Sequence, residues 1–140
     1  MPIAVKMSNG ANISRSRPRV LAGIARQLSV TGARNLAQAF LGEALAAFDP
    51  ADELDNRDVR AAARAVGDAE VVAVLCAIAA AGPGWGAPIG CLRAFLADGR
   101  VPPEDAPFVE IFLRSERGLR GPHAGRLGRL VEAHPRRLVL

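Results

Sequence analysis

The chain has no tyrosine, a single tryptophan (Trp85), two cysteines, two histidines and one lysine in 140 residues. So few rings argue against modules that recognise nucleic acid by stacking bases on aromatic platforms. Two cysteines exclude a disulfide-dense scaffold. The soft metal ligands are Cys76, Cys91, His123 and His134, and no pair has the close spacing of a structural zinc site. Neither a metal nor a cofactor is expected. The longest apolar run, Ala69–Ala81, is too short to span a bilayer and reads as a buried core helix. Residues 1–14 lack the apolar stretch of a signal peptide. With no membrane segment or leader in view, Cys76 and Cys91 are expected as reduced, buried thiols in a cytoplasmic protein.

What is present fits one globular domain. Half of the residues are hydrophobic and 23% are charged, and a chain of this length buries roughly two thirds of its surface. Alanine outnumbers both the β-branched residues and the aromatic residues, the two groups that favour strands, so composition leans to helix. The expected architecture is all-α. Residues 1–14 form a flexible basic arm, and residues 15–140 form a single compact bundle of six to seven short helices.

The periodicity places the helices. The first starts at Ser16-Arg-Pro18 and shows Val20, Leu21, Ile24 and Leu28 as its apolar stripe. Ser29-Val-Thr-Gly32 interrupts it, and Leu36, Phe40, Leu41, Ala44, Leu45 and Phe48 form a second stripe that ends at Asp49-Pro50. The run 49–58 reads as an acidic connector. A third helix over 57–66 presents Val59, Ala62, Ala63 and Val66, and Gly67 stops it. Asp68 is a good N-cap for the apolar helix 69–81, which is expected at the centre of the bundle. Residues 82–86 form a loop around Trp85. Pro88 opens a fifth helix that closes at Asp98-Gly99, and Pro102-Pro-Glu-Asp105 opens a sixth. A seventh, over 123–134, is expected before Pro135.

Charge is strongly segregated. Residues 1–34 carry +6 with no acid, residues 35–58 carry −5, residues 59–110 carry −2 and residues 111–140 carry +5. Coding bias explains why seventeen of eighteen basic residues are arginine, but not why they gather at the two ends. Arg114, Arg117, Arg120, Arg126 and Arg129 are too many for one helix face. They read either as a solvated surface or as a docking patch for an acidic protein surface or nucleic acid. Trp85, between glycines, is either a plug for the core or an interface anchor that joins this patch.

One stretch resembles a known motif. Ile24-Ala-Arg-Gln-Leu28-Ser-Val30-Thr31 resembles the first helix and turn of a helix-turn-helix, in which an alanine allows close packing and a Ser or Thr caps the recognition helix. The resemblance implies duplex DNA as partner for residues 18–48. Thr31 would be the cap, Arg34, Asn35 and Gln38 would face base edges, and Arg15, Arg17 and Arg19 would face phosphates. The chain departs from the pattern at Asn35, where an apolar residue belongs, and Leu36 comes one position late. The alternative is an ordinary helical hairpin with a threonine cap.

Catalytic signatures are weak. The chain has no G-x-S-x-G, no phosphate-binding loop and no dinucleotide fingerprint. The acidic run fails as a calcium loop, with Leu54 and Arg60 where glycine and glutamate are required. The leading expectation is a non-enzymatic helical adaptor that acts through its arginine-rich ends and Trp85. The helix-turn-helix regulator comes second, and an enzyme of unknown class third.

Overall fold

The computed structural model describes residues 16–49, 52–81 and 88–115. Among the described residues there are six helices and no strand: α1 (Arg17–Val30), α2 (Arg34–Ala47), α3 (Glu53–Val66), α4 (Ala69–Ala81), α5 (Pro88–Ala97) and α6 (Ala106–Arg114). The all-α bundle expected from composition and periodicity is what forms. The arm over 1–14 and the seventh helix over 123–134 lie outside the described residues.

Most boundaries follow the local chemistry. Pro18 sits in the first turn of α1, where its missing N–H costs nothing. α1 stops at a glycine turn. Gly32 takes φ +87°, its N–H donates to Ser29 O, and the Ala33 N–H reaches back to Leu28 O at 2.9 Å. That pair of bonds caps the last carbonyls and needs the left-handed conformation that glycine adopts freely. Gly67 ends α3 in the same way, with the Asp68 N–H donating to Ala63 O. Asp68 then caps α4 by accepting from the Val71 N–H at 3.1 Å.

Two boundaries differ from the sequence reading. The run 49–58 is not all connector, since α3 begins at Glu53. The Asp52 carboxylate accepts from the N–H groups of Leu54 and Asp55, and Glu53 and Asp55 sit in the first turn, where the helix dipole favours acids. Thr31 does not cap α2. It closes α1 instead, with its hydroxyl donating to Leu28 O at 3.0 Å, and the N-cap of α2 is Ala33, with no side-chain bond.

The helix directions follow from long-range bonds. Ser16 Oγ donates to Asp55 Oδ1 at 2.6 Å, and Ser29 Oγ donates to Ala65 O at 2.6 Å, so α1 and α3 run parallel. An ion pair of 3.8 Å joins Arg17, at the start of α1, to Glu43, near the end of α2. α2 therefore runs antiparallel to α1 along its length. α4 packs on α3, α5 and α6, and its residues 71–78 are all buried. A helix that is apolar all round must be enclosed in this way.

The inner face of α1 holds half of the stripe expected. Leu21 is buried and Leu28 packs against the core, but their companions there are Pro18, Ala22 and Ala25, while Val20 is 45% and Ile24 37% exposed. Alanine allows the closest helix approach, so the face carrying Ala22 and Ala25 turns inward towards α2 and α3. Val20 and Ile24 are turned outward. α2 repeats the effect at its start, where Ala37 is buried and Leu36 is 56% exposed.

Candidate functional site

Three arrangements organise the polar chemistry of the described residues. The first is a latch at the end of the bundle where α1 and α3 begin. Arg19 Nε donates to Asp58 Oδ2 at 2.9 Å, and Arg57 pairs with the other oxygen at 3.0 Å. Burial pushes the Asp58 carboxyl up. The hydrogen bonds from Arg19 and Arg57, together with their charges, outweigh it and hold the group below the usual 3.8. A lowered carboxyl stabilises the fold above its unfolded value, and that contribution is lost as pH falls through the lowered one. The latch therefore persists until the pH is below 3.8. Next to it, the buried Asp55 accepts from Ser16 and from the Asp49 N–H.

The second arrangement is a buried network centred on Asp105, which is fully enclosed. Arg64 donates to Asp105 Oδ1 at 2.7 Å. Arg60 Nε lies 2.7 Å from Oδ2 as an ion pair, without the alignment of a hydrogen bond. Arg60 also donates to the side chain of Asn56, whose amide donates to Leu75 O at 3.2 Å. Asn56, Arg60 and Arg64 recur every four residues along α3, so they share one face. Asp105 stands at the N-cap position of α6 without capping it, because its carboxylate is turned to the arginines.

Cys76 belongs to this network. Its thiol lies 3.5 Å from Asp105 Oδ2. Burial first, and the Asp105 charge second, push it up to about 12, with Arg60 opposing. The thiol is therefore neutral at physiological pH and a poor nucleophile. An acid raised in the folded state contributes stability that is intact below its unfolded value. Cys76 should accordingly favour the fold up to pH 9.0 and cease to do so as the pH rises towards about 12. At neutral pH a thiol reagent should modify Cys76 only as fast as the protein opens, as peptide mapping of the labelled protein would show. Rapid labelling of the folded chain would mean the thiol is not enclosed.

The third arrangement is an outward face on α1. Val20, Gly23, Ile24, Arg26, Gln27, Leu28 and Val30, all on α1, line an open groove of about 660 Å³. Val30 is 80% exposed. A second, smaller groove of about 280 Å³ joins the start of α2 to the end of α6. Arg34 and Gln38 form one wall and Ile111 and Ser115 the other, with Asp68 and Glu70 between.

The residues proposed from sequence fall into separate places. Arg17 and Arg19 are at the latch end, paired with Glu43 and Asp58. Arg34, Asn35 and Gln38 are exposed at the opposite end, on the first turn and a half of α2. Arg114 is exposed at the end of α6, one residue before Ser115 of the smaller groove. Arg15, Trp85, Arg117, Arg120, Arg126 and Arg129 lie outside the described residues, as do His123, His134 and the side chain of Cys91. Among the described residues no group of three His, Cys, Asp or Glu side chains could hold a metal, and no helix is long and apolar enough to cross a membrane.

Sequence reasoning missed the Asp105 network and the outer face of α1. The signal for the first was the repeat of Asn56, Arg60 and Arg64. The signal for the second was an alanine face competing with a larger apolar one on the same helix.

Among the described residues the fold is an all-α bundle whose first helix carries exposed apolar side chains at Val20, Ile24 and Val30. No protein-family model, no curated protein and no solved structure matches the chain.

Proposed function

We propose that the protein is a non-enzymatic helical adaptor that binds a partner protein with an acidic surface through the outer side of the α1–α2 hairpin. The observation that carries this reading is the pairing of exposed apolar side chains with unneutralised arginine. Val20, Ile24, Val30 and Leu36 are exposed on one helical hairpin. Arg26 lies among the α1 side chains and makes no ion pair among the described residues, whereas Arg17 and Arg19 at the other end are paired. Arg34, also without an ion pair there, stands at the start of α2 in the smaller groove that holds Asp68 and Glu70. Exposed apolar side chains beside an arginine with no ion pair among the described residues fit a protein interface better than a solvated surface. The Arg114 side chain, also exposed, extends the same positive character to the end of α6.

The test uses the full chain as bait in extract from its own cells, with and without nuclease. A nuclease-resistant acidic protein should be retained, and the double variant Arg26→Glu/Arg34→Glu should lose it. Retention unchanged by the double variant would sink the reading.

A second reading, duplex DNA, is favoured by the exposure of Arg34, Asn35 and Gln38 on one turn and a half of α2. It requires binding that weakens linearly in log salt, with Arg34→Ala altering sequence preference and Arg17→Ala weakening all sequences alike. Absence of duplex binding at low salt removes it.

A further inference from the structure

We infer that the outer face of α1 is a seat for one amphipathic, acidic α-helix of a partner protein, which crosses α1 at Gly23. The inference rests on the protein-binding reading above and adds the form and sign of the occupant.

The form follows from backbone chemistry. The groove runs along α1 from Val20 to Val30, and among the described residues α1 alone lines it. The backbone N–H and C=O groups of α1 between its ends are used within the helix. An extended peptide laid on this face would find no main-chain partners, unlike one added to a sheet edge. A helix brings its own hydrogen bonds and needs only side-chain packing. Val20, Ile24 and Gln27 stand at i, i+4 and i+7, forming a ridge of the kind that packs into the groove of a second helix. Gly23 lets a second helix come close to the α1 backbone, and the space over it is open, since a side chain added there would meet nothing within 4 Å.

The sign follows from charge. The first acid of the chain is Glu43, so α1 and the first two turns of α2 carry no carboxylate. Arg26 lines the groove without an ion pair among the described residues. Three occupants from this chain are disfavoured on that ground. Residues 1–14 contain Lys6 and no acid, residues 116–140 carry six arginines against two glutamates, and a second α1 face would set Arg26 against arginine. An occupant with glutamate or aspartate flanking its apolar stripe has the complementary charge.

The experiment uses the full chain and a synthetic helical peptide with leucine at i, i+3, i+4 and i+7 and glutamate elsewhere. A twin peptide with lysine in place of glutamate is the control. The acidic peptide should bind, weaken with salt, and exceed the lysine twin by tenfold or more. Ile24→Ser and Gly23→Leu should each weaken it about tenfold, equivalent to about 1.4 kcal/mol. Gly23→Leu should raise the thermal midpoint, because glycine is a poor helix former and a side chain there meets nothing within 4 Å. Ile24, 37% exposed, should give up a few degrees as serine, so its binding is compared at a temperature where both proteins are folded. Equal binding of the two peptides overturns the charge argument, and unchanged binding of Gly23→Leu overturns the crossing point. Tighter binding of the acidic peptide after deletion of residues 116–140 would show that the chain's own tail holds the seat. Self-association that Ile24→Ser abolishes would assign it to a second copy. If the acidic peptide fails while Arg26→Glu/Arg34→Glu still abolishes capture from extract, the helical seat falls and the adaptor reading stands. If capture is also unaffected, both fall.

Discussion

Asp105→Ala should unfold the protein or lower its thermal midpoint by about 10 °C or more. The carboxylate is fully buried and faces both Arg60 and Arg64 at 2.7 Å. The two guanidinium groups are themselves largely covered, at 14% and 24% side-chain exposure. Removing one partner of a buried ion pair costs about 3–5 kcal/mol, because the charge left behind has lost both water and its counter-ion. That applies in full to Arg60, while Arg64 keeps the exposed Glu104 at 4.0 Å. The partial exposure of the arginines points to the lower half of that range. Asp105→Asn keeps the shape and an acceptor but not the charge, and should fall between wild type and alanine. A triple variant replacing Asp105 with leucine, Arg60 with methionine and Arg64 with leucine should recover much of the loss, because well-packed apolar groups often replace a buried ionic cluster without penalty. Thermal and urea melts of the four proteins decide the matter. An Asp105→Ala midpoint within a few degrees of wild type would show that water reaches the arginines freely.

The second large effect is expected in α4. Val74→Asp or Leu75→Asp would place a carboxylate on a helix whose residues 71–78 are all buried, at positions with no measurable exposure. The group would either remain ionised without a counter-charge or become protonated at the expense of stability. The cost is several kcal/mol, against a total of about 5–15 kcal/mol for a typical domain. Both variants should be insoluble or lack cooperative unfolding. Soluble protein with a native circular-dichroism spectrum would mean that α4 has an open side.

The two sites differ in how readable they were. The apolar character of 69–81 was evident from consecutive residues, and so were the stops at Gly67 and Gly99, because helix period and glycine are local signals. The start of α3 was hidden for an equally local reason. Its first turn is so acidic that no apolar period shows through until Val59, and the decisive bond, Asp52 to the Leu54 N–H, depends on a cap rather than a stripe. Nothing local marks Asp105 as more than a helix-start residue, because its partners are 41 and 45 positions away, and no spacing rule reports a pairing of that range. On α1 the apolar stripe finds Leu21 and Leu28 but misplaces Val20 and Ile24, because hydrophobicity ranks them above alanine. Packing against α2 and α3 favours the small side chains of Ala22 and Ala25, and that preference belongs to the helix pair rather than to α1 alone.

The enclosure of α4 also orders events during synthesis. α1, α2 and α3 pack on one another, so this group has its contacts as soon as residue 66 is available. α4 then emerges with one side seated on α3, while the helices that cover it elsewhere, α5 and α6, are still unmade. A chain halted near residue 81 would present a strip of valine, leucine and isoleucine to the cell, the kind of surface that chaperones bind and that drives aggregation. Fragments ending between α4 and α6 should therefore be poorly soluble however well the first three helices form, and a workable truncation has to retain α6.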